Sequence, residues 1–366
     1  MKAIAWRSLP KPAQVAMMVV AVLFLFALPL LNLPIVTTPE TDFGGVLFTV
    51  SVYVLVALGL NVVVGYAGLL DLGYVGFYAV GAYTVGVLGS LHGSWPWLLC
   101  VPVAVVASTI SGLLLGWPTL RVRGDYLAIV TMGFGEIIRL TALNAQWLGG
   151  APGISNVPRP PSLHLFSIPS LNWDSGVPKL DLSSTTPFLE FSVSYQVPYY
   201  WLVLAVIIVV LVFDKLVKDS RVGRAWEATR EDEDAAELMG VPTFKFKLLA
   251  FAMGAFIGGL SGALFAGKQG FISPDSFMLM MSILFVAAVV VGGQGNRWGV
   301  ILGAVCVAYL PERFRFLADF RVLIFGLALM ALAIFRPQGL LPPRRTARVM
   351  KADKRQEVLE EGATSV

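Results

Sequence analysis

Glu136 and Arg139 stand three residues apart inside the apolar run 125–143. On a helix this spacing puts both side chains on one face, where they can pair. Ionisable groups in such a run are costly in lipid and usually face a bundle interior or a water-filled cavity. Two roles fit: a polar lining of a substrate path, or a structural pair that snorkels to the outer interface. The structural role weighs more. Asp71 lies in "GYAGLLDLGYVGFYAVGAY", residues 65–83, near the inner end of another apolar run. There it would touch water or cap a helix start. Asn61, Tyr74 and Tyr78 would add hydrogen-bonding groups along the same inner surface. Each of these residue types serves more often to hold helices together than to touch a substrate.

Other chemistries lack their residues. The two histidines, His92 and His164, fall in polar connections, and no paired-histidine metal motif or G-x-S-x-G elbow occurs. Cys100 and Cys306 sit in separate apolar runs and behave as small buried hydrophobes, with no metal spacing and no disulfide framework. "GALFAGKQ", residues 262–269, imitates a phosphate-binding loop through Gly262, Gly267 and Lys268. Gln269 stands where a hydroxyl should meet magnesium, and the string ends an apolar run with no strand before it. The chain is therefore expected to be no enzyme, to need no cofactor or metal, and to carry no ATPase of its own.

The elements that position these residues follow from composition. The 366 residues are 57% hydrophobic and only 14% charged, and the mean hydropathy is +0.76. Soluble domains are about 45–50% apolar and about 25% charged. The excess needs lipid, and apolar runs of ~20 residues match a ~30 Å hydrocarbon core. Spans are expected at 13–33, 44–64, 69–90, 97–117, 125–143, 199–217, 248–267, 278–291, 298–317 and 322–335. The third is interrupted by glycines and the eighth is short, so broken or re-entrant segments are expected there. The fold class is an all-α integral membrane protein, a polytopic helix bundle of about ten transmembrane helices, or eight to ten with short ones discounted.

With the N-terminus inside and strict alternation, inside segments hold 20 of the 27 Lys and Arg residues. That bias sets both termini in the cytoplasm. The arginines at 313, 315 and 321 fall outside in this scheme and strain it. The net charge of +4 comes from clusters between apolar runs, which speaks for topology and against nucleic acid. Lys2, Arg7 and Lys11 precede a first run long enough to span, with no small-residue cleavage site after it, so a retained helix is expected in place of a signal peptide.

Residues 1–343 then form one transmembrane domain. Within it, 144–198 is an outside loop rich in Pro, Ser and Asn, and 214–247 is a cytoplasmic loop. The mixed-charge stretch 344–366 is a cytoplasmic tail. Gly254, Gly258 and Gly262 stand four apart, as do Gly112 and Gly116, and Gly299 and Gly303. That spacing lets helix backbones approach closely and carries no chemistry.

The cytoplasmic loop contains "EDEDAAELMG", residues 231–240, with five acids between Glu231 and Glu237. Acids suit the positive end of a helix dipole. Gly240 can adopt the left-handed conformation that ends a helix, and Pro242 prevents continuation. Ala235, Leu238 and Met239 make one small apolar face. An anionic inner leaflet repels acids, so that face is expected to meet a protein partner rather than lipid.

Residues 220–241, "SRVGRAWEATREDEDAAELMGV", resemble the cytoplasmic loop of ABC-importer permeases of the branched-chain amino acid type, the LivM-like family. Within it Asp234, Ala235, Ala236 and Gly240 match the general importer pattern. Residues 65–83, 124–140, 148–158, 289–305 and 336–342 also resemble that family, in family order and over most of the chain. Two departures stand out. The broader importer pattern continues with Ile-x-Leu-Pro, where this chain reads "KFKLLAFA". The outside motif begins with Leu148, where relatives often have Thr.

The resemblance implies one of two different permease subunits in a bacterial inner membrane, the other being LivH-like, with a pore at their interface. It implies two cytoplasmic ATPases (LivG/LivF-like) docked on Glu231, Asp234, Ala235, Ala236, Leu238, Met239 and Gly240, and a periplasmic amino-acid-binding protein. The expected cargo is leucine, isoleucine or valine. An importer of urea or short amides shares the same motifs. An ATP-independent transporter or channel would need more coupling-ion groups at depth than Glu136 and Arg139.

Overall fold

The computed structural model describes residues 11–31, 42–120, 125–162, 167–174, 177–187, 189–193 and 195–313, with scattered positions from 323 to 341. The elements are α1 (Lys11–Leu31), α2 (Phe43–Leu60), α3 (Tyr74–Gly86), α4 (Trp97–Thr119), α5 (Asp125–Asn144), β1 (Ile154–Ser155), β2 (Ser167–Asp174), β3 (Val177–Pro187), α6 (Val197–Lys218), α7 (Arg221–Glu231), α8 (Glu233–Leu238), α9 (Thr243–Gln269), β4 (Phe271–Ile272), α10 (Leu279–Gly292) and α11 (Arg297–Arg313). This is a helical, polytopic membrane fold.

Among the described residues seven helices are long and apolar enough to cross a membrane. They are Phe43–Tyr66, Tyr74–Leu91, Trp97–Thr119, Tyr126–Asn144, Val197–Lys218, Thr243–Gln269 and Pro274–Gly292. Three of the ten expected runs, 13–33, 298–317 and 322–335, lie partly or mostly outside the described residues, so the seven do not confirm the count of about ten. In α1, Lys11–Leu31, the apolar helix is counted over Val19–Leu31 among the described residues. Helix α11 is described over 17 residues, Arg297–Arg313, and the rest of the run 298–317 lies outside the described residues. The run 322–335 lies mostly outside the described residues, as does 344–366 entirely.

The chain divides into two compact units, 1–48 with 162–205, and 49–161 with 206–366. In the first, Pro29 lies inside α1 and has no N–H to give to the Leu25 carbonyl. The Tyr200 hydroxyl of α6 donates to that oxygen at 2.8 Å. Trp201 stacks on Phe26 at 4.8 Å and donates to its carbonyl at 3.1 Å. The same unit holds the antiparallel hairpin β2–β3, whose register shifts between Pro169 and Ser170. It gives the long loop 144–198 regular structure that polar composition alone does not announce.

The second unit is built around α9. A Cβ at Gly262 would strike the Tyr78 carbonyl, one at Gly258 would press on Phe77, and one at Gly254 on Val63. Gly112 and Gly116 of α4 come against Ala255 and Leu248 of α9 in the same way. Ser108 of α4 donates to the Ala255 carbonyl at 2.8 Å. The glycine spacing is thus spent on backbone approach. Helix α9 is unbroken through Gln269, so the phosphate-loop imitation at 262–269 is helix rather than loop.

Helix α2 continues to Tyr66 as a widened, π-type turn, Asn61–Tyr66. The chain then runs without helix to Tyr74, and from Tyr74 to Leu91 it is one continuous helix, so the break expected within the third span falls before it. At the far end β1 pairs antiparallel with β4, and Ser90 donates to the Ser155 carbonyl at 2.6 Å. At the near end the stretch after Asn61, the end of α6, the start of α7 and the α10–α11 turn come together. Segments grouped on one side by their Lys and Arg content therefore meet at one end of this unit.

Candidate functional site

The connection between α6 and α9 folds as two short helices. Ser220 caps α7, its hydroxyl accepting from Val222 N–H at 3.1 Å. Ala225, Trp226 and Thr229 form the buried face of α7. That spacing is a helical stripe. Trp226 is fully buried and donates from Nε1 to the Phe246 carbonyl of α9 at 2.7 Å.

Helix α8 follows at once. Asp232 is its cap, with Oδ1 accepting from Ala235 N–H at 2.9 Å. Its end is a Schellman motif: Val241 N–H reaches the Ala236 carbonyl at 3.0 Å and Gly240 N–H the Glu237 carbonyl at 2.9 Å. Gly240 adopts φ 83°, the left-handed value that this motif requires. The acids then divide by partner. Glu233 pairs with Lys247 of α9 at 2.5 Å, and Glu237 accepts from the Thr243 hydroxyl at 3.3 Å. Ala236, counted among the docking residues from its place in the motif, turns inward and is buried. Glu231, Asp234, Ala235 and Gly240 are exposed. Leu238 and Met239 are 89% and 85% exposed, a pair of large apolar side chains on a helix tied down from behind.

The residues expected along a transport path fall in two groups. On α5, Arg139 Nη2 lies 2.6 Å from Glu136 Oε1, and Arg139 Nη1 lies 3.9 Å from Asp275. This cluster is partly exposed. The other residues are interior. Asp71 is fully buried and accepts from Gly73 N–H at 2.9 Å, closing the turn that starts α3. Beside it Thr131 of α5 accepts from Leu72 N–H at 3.1 Å and Ser282 of α10 donates to the Leu72 carbonyl at 2.6 Å. Tyr74 donates to the Gly254 carbonyl at 2.7 Å. The Tyr78 ring packs among Phe265, Phe277 and Phe285 at 5.4, 5.7 and 5.9 Å. Asn61 Oδ1 accepts from Gly295 N–H at 2.8 Å. These contacts knit helices together inside one chain.

Residues 43–334 match the family model described as the permease component of the branched-chain amino acid transport system. The chain belongs to this family. The chain is 43% identical over 310 residues to the high-affinity branched-chain amino acid transport system permease protein LivM of Salmonella typhimurium, covering 82% of this chain and 70% of that protein. It is 42% identical to LivM of Escherichia coli over the same shares. The corresponding permease protein BraD of Pseudomonas aeruginosa is 28% identical, covering 80% of this chain and 92% of its own. No solved structure matches.

In this permease the cluster beside α7 is one that the sequence does not reveal. Tyr66 donates to Asp214 Oδ2 at 3.1 Å, and Arg297 Nη1 stands 3.5 Å from the same oxygen. Lys218 lies 4.7 Å over the Tyr66 ring and donates to the Gly295 carbonyl at 2.8 Å. Arg230 of α7 donates to the Gly65 carbonyl. Asp214, Lys218 and Arg297 read as ordinary span-end charges, since their partners lie tens of residues away. The one local hint is an acid, Asp214, inside the last turn and a half of an apolar helix.

Proposed function

We propose that this chain is one permease subunit of an ABC importer that carries leucine, isoleucine and valine across the bacterial inner membrane, with both termini cytoplasmic. A second, different permease completes the pore. Two cytoplasmic ATPases supply the energy, and a periplasmic amino-acid-binding protein delivers cargo. The chain itself is not catalytic. The names and closeness of the LivM relatives support the substrate class.

The observation that carries the coupling role is the exposed pair Leu238 and Met239 on a capped, stopped and anchored helix. Apolar side chains held out from a braced helix suit insertion into a groove of a partner. Exposed acids beside them, Glu231 and Asp234, would orient docking and raise the encounter rate. Closure of the ATPases would then move α7–α8 against the bundle and switch the pore.

The path is proposed along α5. That helix is the least buried of the seven, 28% over its apolar window, and it carries Glu136, Arg139, Thr141 and Asn144. A face so open and so polar suits a second permease and water better than lipid. Asn61, Asp71, Tyr74 and Tyr78 would hold the neighbouring helices in place around it.

The test is uptake of radiolabelled leucine into proteoliposomes holding the co-expressed transporter and its binding protein. Uptake that needs internal ATP and survives loss of the proton gradient is expected. Gradient-driven uptake without ATP would overturn the reading in favour of a secondary transporter. ATP-driven uptake of urea or short amides without leucine would overturn the substrate alone.

A further inference from the structure

Three elements distant in sequence converge on two backbone carbonyls at the near end of the second unit. Arg230, in the last turn of α7, lays its stem against Gly68; a Cβ there would lie 2.7 Å from its Cγ. Its guanidinium then reaches the Gly65 carbonyl. Gly65 belongs to the widened turn Asn61–Tyr66, where the ordinary α-helical ladder is already broken. Beside that contact stands Gly295, at φ 82° in the α10–α11 turn. A Cβ on Gly295 would lie 2.9 Å from Arg230 Nη1 and 3.0 Å from the Gly65 oxygen. Asn61 and Lys218 hold Gly295 from its two backbone sides, N–H and carbonyl. Asp214 anchors the other end of the widened turn through the Tyr66 hydroxyl, and Arg297, the first residue of α11, stands by the same carboxylate.

We infer that Arg230, together with the Asp214–Arg297 pair, is a latch that carries movement of α7–α8 to the widened turn of α2 and to the α10–α11 turn. This rests on the reading of α7–α8 as the ATPase docking segment. Trp226 fixes α7 to α9 through its hydrogen bond to the Phe246 carbonyl. Arg230 makes the hydrogen bond by which α7 itself reaches the widened turn, which α9 also packs against at Gly254 and Val63. A π-type turn has loose alternative hydrogen-bonding patterns, so a pull on its carbonyl can change its pitch at small cost. The buried Asp214 resists any rearrangement that separates it from Tyr66 and Arg297, because breaking such a pair strands a charge. The cluster therefore favours discrete positions over a continuous range. These are positioning residues, and they touch no substrate.

The readout is leucine moved per ATP hydrolysed in the complete transporter, reconstituted in proteoliposomes with the leucine-loaded binding protein. A merely structural role lowers the amount of complex and leaves this ratio alone. In R230A the ATPases should still co-purify while the ratio falls about tenfold, the equilibrium worth of one charge-assisted hydrogen bond. R230K keeps a single point donor and should recover part of the ratio. D214N should lower it as R230A does. A wild-type ratio in R230A, or in R230K if the alanine variant does not accumulate, overturns the latch. The double variant L238E/M239E separates the two ideas. ATPases retained in it overturn the docking reading and the latch together. ATPases lost from it, with a wild-type ratio in R230A, overturn the latch alone.

Discussion

The indole of Trp226 donates to the Phe246 carbonyl at 2.7 Å, joining α7 to the first turns of α9. Phe246 lies in the first turn of a helix of 27 residues, Thr243–Gln269. The segment 221–238 is thus mounted on a membrane-crossing helix rather than hung between two of them.

Removing that mount should cost stability in two steps. Trp226→Phe loses one hydrogen bond, about 1 kcal/mol. Trp226→Ala also empties a fully buried site, about 3–5 kcal/mol. Thermal unfolding of the detergent-purified chain should rank wild type, Trp226→Phe, Trp226→Ala in falling order. Equal midpoints for all three would show that α7 is not anchored here.

Gly240 tests conformation separately from space. A Cβ at this position meets nothing within 4 Å, so only its φ of 83° opposes a side chain. Gly240→Ala should cost about 1 kcal/mol locally and leave leucine uptake near wild type. Gly240→Pro cannot take that φ and deletes the N–H that reaches Glu237. It should uncouple ATP hydrolysis from uptake while the chain still inserts, and a bulky residue at the exposed Ala235 should do the same. Coupling at wild-type level in both would refute the docking role of α8.

The Glu233–Lys247 pair should be coupled. Lys247 keeps 9% of its side-chain surface and Glu233 27%, so solvent screens them little. Glu233→Gln and Lys247→Met should each destabilise α8, and a double-mutant cycle should return an interaction of about 1–3 kcal/mol. Strictly additive unfolding energies would mean that the contact holds nothing.

Two helix glycines should behave in opposite ways. Gly262→Val forces its side chain onto the Tyr78 carbonyl and should prevent accumulation of folded protein, or cost at least about 1–3 kcal/mol if the helices shift. Gly133 on α5 has open space around a Cβ. Gly133→Ala should be neutral or stabilising by roughly 0.5–1 kcal/mol, as for glycine in any helix interior. A stable Gly262→Val would contradict the packing of α3 on α9.

Local features are legible in the amino-acid sequence. The apolar runs and the stop at Gly240 and Pro242 depend on a few neighbouring residues, and the fold reproduces them, with α3 starting five residues later and α9 five residues earlier than expected. The same holds for the Glu136–Arg139 pair, because i and i+3 meet on any helix. The hairpin β2–β3 is less legible, since its strands carry Pro, Ser and Asn in place of alternating apolar residues.

What hydropathy, charge and turn residues determined by themselves was a polytopic helical membrane protein with one stopped, acidic helix between two spans, because lipid and helix ends act on contiguous stretches of chain. Only the tertiary structure decided that Ala236 faces in while Leu238 and Met239 face out. It alone brought Arg230 to a carbonyl 165 residues earlier. Such partners are chosen by the order in which helices pack, and each polar group left at depth must take whichever partner that packing places within reach.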